Sequence, residues 1–389
     1  MKTLVRGTLF VGALLSTAFP CPARAQETLE GEWSGIWTRA GDTLAVDVTF
    51  HEVDGGWSGT FDSERLRVFG IPFTEVAYDP PRVVIRLVGD ATTIVFETEL
   101  AGDSLTGALR EDSATGTIRL VRSTTPPPAY REQEVVFESD RISLHGSLIL
   151  PAGSGPHPAV VFLHGSGAEG RWASRYLAVF LARAGYAALI YDKRGVGDSG
   201  GDWRNAGFED LALDARAAVR YLTQRAEIDS RRIGIHGHSQ GGTIAPLVAE
   251  PGPTVAFVIA SAASGLPMDE VEIYSVTNAL GGTEDRLVHE YVRELVAVAY
   301  HGADRARLDS ITAVARGRTW LFEPPPVGDS YWAFSRRIAN YDPLEHWRHV
   351  TVPVLLLYGE ADQRVPAEPS AERIVAALAE GGNENVTVR

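Results

Sequence analysis

From Gly31 to Arg122 apolar and polar residues alternate. Leu44, Val46, Val48 and Phe50 form one such run, Val83, Ile85 and Leu87 a second, and Ile94 and Phe96 a third. A period of two is that of a strand with one buried face. Turn-forming clusters at Asp54-Gly55-Gly56, Asp79-Pro80-Pro81, Gly89-Asp90 and Ala101-Gly102-Asp103 separate the runs. The spacing predicts about eight short strands, hence a small all-β domain over residues 29–122, either an antiparallel barrel or a sandwich. Three consecutive prolines, Pro126-Pro127-Pro128, then hold the backbone extended, so residues 123–130 read as a semi-rigid linker.

Beyond the linker the rhythm changes. Glu134-Val135-Val136-Phe137 and Ile142–Leu150 predict an antiparallel pair joined near Ser139-Asp140. Solid apolar runs follow at Ala159–Leu163, Tyr186–Tyr191, Ile233–Ile235, Val255–Ile259 and Val354–Leu357. Such runs belong to strands covered on both faces. Helical stretches lie between them, clearest at Trp172–Ala184 and Phe208–Gln224. Buried parallel strands alternating with amphipathic helices make residues 131–389 an α/β domain with a doubly wound, mostly parallel sheet. Between Ser264 and Trp347 the alternation lapses. Leu287, Tyr291, Leu295 and Val298 share one face of a helix over Glu284–Ala299, and a second helix starts near Asp304. An aromatic loop comes next, with Trp320-Leu321-Phe322-Glu323-Pro324-Pro325-Pro326 and Tyr331-Trp332-Ala333-Phe334.

The apolar fraction of 44% is that of a globular chain, and the formal charge is −14. An acidic chain is a poor partner for nucleic acid or anionic membrane, both of which need basic surface. Lys2 and Arg6 precede the apolar stretch Thr8–Phe19, and Ala23-Arg24-Ala25 has the form of a cleavage site. Residues 1–25 therefore read as a signal peptide, too short in its apolar part to be a transmembrane anchor. Loss of its three cations takes the charge from −14 to −17. Cys21, the one cysteine, leaves with it, so the mature chain holds no disulfide and no cysteine nucleophile, compatible with a bacterial periplasm or the medium. Lys193 is then the one remaining lysine. No His-x-x-x-His, His-Glu-x-x-His, phosphate loop or dinucleotide fingerprint is present, so neither metal nor cofactor is expected.

The chemistry centres on Gly237-His238-Ser239-Gln240-Gly241-Gly242, with the apolar run Arg232–His236 before it and a helix-forming stretch, Thr243–Ala249, after it. A Gly-x-Ser-x-Gly between strand and helix is a nucleophile elbow, a turn so tight that its flanking residues must be small. Ser239 is the candidate nucleophile. Three further loops each follow directly on a predicted strand: His164-Gly165-Ser166-Gly167, Asp192-Lys193-Arg194-Gly195-Val196-Gly197-Asp198-Ser199, and Gly359-Glu360-Ala361-Asp362-Gln363-Arg364-Val365-Pro366. Together these segments resemble the α/β-hydrolase family, its serine esterases and serine aminopeptidases, over roughly Glu132–Arg389. The resemblance implies the α/β-hydrolase fold with a helical cap at about 264–347, after the sixth strand. It implies that the backbone N–H groups of Ser166 and Gln240 form an oxyanion hole, a task that suits amides held in a rigid turn. Asp362, or else Glu360, would orient the catalytic base. His164 would brace its loop, Asp192 and Arg194 would pair with each other beneath the site, and Ser199 would be structural. Trp320, Phe322, Trp332 and Phe334 would line an acyl pocket or else form the core of the cap. In the all-β domain, Gly31-Glu32-Trp33-Ser34-Gly35 resembles the start of lipocalin-like barrels, and the domain reads as a folding and docking appendage or as a ligand- or surface-binding module.

These features imply an exported serine hydrolase that cleaves small-molecule carboxylic esters through an acyl-enzyme on Ser239. An aminopeptidase or acyl thioesterase is the alternative within enzymes, and a non-catalytic binding protein is the alternative outside them. In this family the triad runs Ser, then Asp or Glu, then His. No histidine follows Asp362, the last being His349, and Asn385-Val386-Thr387-Val388-Arg389 reads as the final strand. His164, His238, His346 and His349 are poorly placed to substitute. The expectation is a natural protein that continues past Arg389 with a histidine-bearing loop and a closing helix, and low activity without them.

Overall fold

The computed structural model describes residues 28–88, 92–112, 114–123, 130–250, 255–281 and 285–389. The expected signal peptide with Cys21, the turn at Gly89-Asp90, the triple proline and Glu284 lie outside the described residues. The chain divides into two compact units, Met1–Phe61 with Pro72–Thr124, and Asp62–Ile71 with Thr125–Arg389.

The first sheet contains β1 (Gly31–Arg39), β2 (Asp42–Val53), β3 (Gly56–Ser63), β4 (Val68–Pro72), β5 (Glu75–Asp79), β6 (Arg82–Val88), β7 (Thr93–Ala101), β8 (Ser104–Glu111) and β9 (Ala114–Arg122). Their order is β2-β1-β9-β8-β7-β6-β5-β3-β4, and a further β2–β3 pairing closes all but β4 into a barrel. Alternation sets the register. Leu44, Val46, Val48 and Phe50 of β2 are buried, as are Val83 and Ile85 of β6 and Phe96 of β7. Aromatic rings fill the interior: the Trp37 ring centroid lies 5.2 Å from that of Phe96 and 5.5 Å from that of Phe61. Trp33 of β1 is fully buried and donates Nε1–H to the Leu29 carbonyl at 3.0 Å.

The second sheet contains β10 (Tyr130–Ser139), β11 (Ile142–Pro151), β12 (His157–Leu163), β13 (Ala187–Tyr191), β14 (Ile228–His238), β15 (Val258–Ser261), β16 (Val354–Leu357) and β17 (Val386–Val388). Its order is β10-β11-β13-β12-β14-β15-β16-β17. The β10–β11 and β11–β13 pairs are antiparallel, and every pair from β13 onward is parallel. Helices α1 (Arg175–Arg183), α2 (Phe208–Thr223) and α3 (Gln240–Ala249) follow β12, β13 and β14. Between β15 and β16 the chain inserts α4 (Met268–Ala279), α5 (Arg286–His301), α6 (Ala306–Ala315), α7 (Ser330–Ile338) and α8 (Pro343–Trp347). Helix α9 (Ala367–Glu380) then leads to β17. Val160, Val161, Leu189, Ile190, Ile233 and Ile235 are at most 1% exposed, so neighbours on consecutive positions are buried alike. That two-sided burial is why these strands read as unbroken apolar runs rather than alternating ones.

One element differs from the sequence reading. Tyr331–Phe334 is not a loop but lies in α7, whose first turn is capped by the Asp329 carboxylate accepting from the Tyr331 N–H at 2.8 Å. The cap satisfies an N–H with no intrahelical acceptor, and Gly328-Asp329 was the local signal for it.

Candidate active site

Strand β14 ends at His238, and the chain turns at Ser239 into α3. Ser239 has φ 53° and ψ −115°, a conformation that side chains other than glycine adopt only under constraint. The flanking glycines supply the space. A Cβ on Gly237 would sit 2.2 Å from the Gly241 carbonyl oxygen, and one on Gly241 would sit 2.6 Å from the Leu163 carbonyl oxygen. The Ser239 N–H donates to Ser261 O on the neighbouring β15 at 2.8 Å, and its carbonyl accepts from Thr243 N–H at 3.0 Å. Its hydroxyl makes no hydrogen bond among the described residues. Ser239 lines a cavity of about 280 Å³ together with Ser166, Gln240, Glu272, Tyr331 and Phe334, among others.

Ser166 belongs to the loop after β12, and Gln240 is the first residue of α3. Neither backbone N–H has a partner among the described residues. For Gln240 this follows from its place, since the first amides of a helix have no acceptor one turn back. The loop itself is braced. His164 Nε2 stands 2.5 Å from the Tyr191 carbonyl, and its ring meets that of Tyr191 edge-on at 4.5 Å. Burial, with Lys193 nearby, pulls the His164 pKa down to about 3, so the ring is neutral and donates. The Gly165 N–H donates to Glu169 Oε2 at 2.7 Å.

Asp362 follows β16, at the same end of the sheet as Ser239. Its Oδ1 accepts from the N–H groups of Arg364 and Val365 at 2.7 and 3.0 Å, leaving Oδ2 without a partner among the described residues. The Tyr274 hydroxyl of α4 donates to its carbonyl at 2.8 Å. Val365 lines the Ser239 cavity, whereas Asp362 is not part of its wall. Glu360 is exposed. No histidine among the described residues bonds to the Ser239 hydroxyl. His236 meets Ser261 Oγ at 3.0 Å, His301 meets Asp269 at 3.0 Å, His346 meets Glu250, and His238 is exposed.

Asp192 and Arg194 do not pair with each other. Asp192 receives the Nε and Nη2 of Arg171 at 3.1 and 2.9 Å. Arg194 forks onto Asp214 of α2 with two bonds of 2.7 Å. The chain turns between them, with Val196 N–H bonded to Lys193 O at 2.9 Å, and the two side chains leave for different elements. The Ser199 hydroxyl donates to Asp192 O at 2.7 Å and accepts from His145 N–H at 3.0 Å, which occupies it structurally.

Of the four aromatic residues of the cap, Phe334 lines the cavity. Trp320 and Phe322 pack on Tyr291 of α5, each at 5.8 Å between centroids. Trp332 donates to the Pro326 carbonyl and lines a separate cavity of about 620 Å³ with Arg305 and Arg336. The period of α7 divides them, because residues 331, 334, 335 and 338 share one face while 332, 333 and 336 share the other. Two residues at the site escaped the sequence reading. Glu272 of α4 reaches the cavity, where the Tyr331 hydroxyl donates to its Oε1 at 2.9 Å and burial pushes its carboxyl above the usual range. Lys193 lies buried under the Ser166 loop. Neither carries a local signal, since each acts on an element distant in sequence. Among the described residues no group of three or more His, Cys, Asp or Glu is arranged to hold a metal ion.

Residues 154–307 match the family model described as serine aminopeptidase, S33. An uncharacterized protein of Mycobacterium tuberculosis is 29% identical over 255 residues, covering 65% of this chain and 69% of that protein. The esterase EstD of Thermotoga maritima is 25% identical over 272 residues, covering 67% of this chain and 58% of that enzyme. Among solved structures, an esterase of Pyrococcus furiosus aligns at a TM-score of 0.47 and 19% identity, over 69% of this chain and 85% of that one. With the family model over residues 154–307, the similarity to an esterase and the strand–elbow–helix at Ser239, the second domain is that of an α/β hydrolase.

Proposed function

We propose that the protein is an exported serine hydrolase that cleaves carboxylic esters of small molecules through an acyl-enzyme on Ser239. The observation that carries this reading is Ser239 at positive φ, its hydroxyl unbonded, lining one cavity with two residues whose backbone N–H groups have no partner. Attack by the hydroxyl would place negative charge on the substrate carbonyl oxygen. The Ser166 and Gln240 amides would receive it, the second aided by the positive end of α3. Asp362 would hold the base through its free Oδ2. A cavity of about 280 Å³ is at the small end of ligand sites and favours short acyl groups. Export rests on the leader sequence, and no described helix is long and apolar enough to cross a membrane.

Among the described residues no histidine is hydrogen-bonded to the Ser239 hydroxyl, so acyl transfer from Ser239 has no imidazole base bonded to it there. Added imidazole, a diffusible base, should then accelerate hydrolysis. The test is labelling by a fluorophosphonate together with rates over nitrophenyl esters of increasing chain length. Labelling at Ser239 and a preference for short esters are expected. A wild-type protein that neither labels nor hydrolyses any ester overturns the reading in favour of a binding protein.

One observation favours a second reading, an aminopeptidase. Glu272 presents a carboxylate in the same cavity with the Tyr331 hydroxyl as its one hydrogen-bond donor among the described residues. A carboxylate so placed would receive a substrate ammonium group, and an aminoacyl nitroanilide is the discriminating substrate.

A further inference from the structure

Lys193 is 1% exposed, and no carboxylate lies within salt-bridge distance of it among the described residues. Glu169, the acid that attracts it, is engaged with the Gly165 N–H. A buried cation without a paired anion is costly, and an ordinary core would hold an apolar residue there. Its ammonium is instead fully used by neutral acceptors. Nζ donates to Gly165 O at 2.5 Å, to Gly167 O at 2.8 Å and to Gln240 Oε1 at 3.2 Å. Three hydrogens meet three acceptors, an arrangement that a planar guanidinium does not reproduce, in a chain whose other cations outside the leader are all arginines.

These acceptors belong to the two segments that meet at the cavity. The peptide joining Gly165 to Ser166 is planar and trans, so its C=O and N–H point in opposite directions. Fixing the Gly165 carbonyl on Lys193 therefore fixes the Ser166 N–H on the far side, away from the ammonium. Charge drawn onto that carbonyl also polarises the same amide and strengthens its N–H as a donor. The third bond holds the Gln240 side chain at the first turn of α3, and so the residue whose own N–H is free.

We propose that Lys193 is a positioning residue that ties the Ser166 loop to the start of α3 and sets the spacing and direction of the two N–H groups. This rests on the reading of those groups as the oxyanion hole. Sequence alone does not show it, because the tie joins residues 26 to 47 positions apart.

The experiment compares wild type, Lys193→Met and Lys193→Arg for fluorophosphonate labelling rate, kcat and KM on a short nitrophenyl ester, and thermal midpoint. Lys193→Met keeps the length and removes the charge. It should lower kcat and the labelling rate about 10–100-fold, less than the 10²–10³-fold that loss of a donor itself costs, with KM within about 3-fold and the midpoint unchanged or higher. Lys193→Arg should not restore the rate. A Lys193→Met protein that melts as wild type does and labels at the wild-type rate overturns the proposal. Should Lys193→Met fail to fold, Lys193→Gln, which retains two donors, is read by the same criterion: unchanged kcat refutes the tie, and a fall in kcat at constant KM supports it. A wild type that does not label or hydrolyse at all points to failure of the nucleophile reading instead.

Discussion

At Ser239 the backbone is held at φ 53° by its neighbours rather than by its own side chain. Alanine meets the same backbone constraint, so Ser239→Ala should change stability by no more than about 0.5 kcal/mol. The same change should abolish ester hydrolysis and fluorophosphonate labelling, and retention of most of the activity would exclude this nucleophile. Gly241→Val should behave oppositely. Its Cβ would stand 2.6 Å from the Leu163 carbonyl oxygen and 2.8 Å from that of His164, both backbone atoms that no rotamer change can move. A loss of about 2–3 kcal/mol, or an unfolded protein, is expected in a denaturant melt. The spacing of small residues around the serine made this much legible in the sequence. The partners of Asp192 and Arg194 were not legible, because a turn between them sends one to Arg171 and the other to α2.

Helices α4 and α7 together decide what the cavity can hold. Glu272 comes from the first and Tyr331 and Phe334 from the second, and the Tyr341 hydroxyl beyond α7 bonds to Thr243 O on α3 at 2.8 Å. If Glu272 receives a substrate ammonium, Glu272→Gln should slow an aminoacyl nitroanilide about 10–100-fold, the worth of a charge-assisted hydrogen bond, and leave neutral esters little changed. Equal effects on both substrates would remove the amine reading. The helical period of α5 could be read from its spaced Leu287, Tyr291 and Leu295. That of α7 was hidden by aromatic residues on both faces, since its two sides border two different cavities.

Across the whole molecule, buried neutral histidines couple folding to acid. His164 and His236 have pKa values lowered to about 3 and about 4, in both cases chiefly by burial. The unfolded chain protonates each near pH 6.5, whereas the folded chain does not until far lower. Stability contributed in this way is therefore lost as pH falls from about 6.5 toward 4, at about 1.4 kcal/mol per pH unit for each histidine. Urea melts across that window should show the loss, and His236→Gln should flatten the slope by one histidine's share. An unchanged slope in the variant would exclude His236 as a source.

What the sequence determined by itself was whatever repeats or closes over a few residues. A period of two buried Leu44, Val46, Val48 and Phe50 together, unbroken apolar runs marked strands covered on both faces, and two glycines around Ser239 specified the elbow. These are local constraints, set by the geometry of one strand or one turn. Tertiary structure alone decided that β2 would meet β3 to close a barrel, that Phe334 rather than Trp320, Phe322 or Trp332 would line the Ser239 cavity, and that Glu272 would enter it. It alone brought Lys193 beneath Gly165, Gly167 and Gln240. Each of these depends on which ends of distant elements the packed sheet brings together, and no pattern within a single element carries that information.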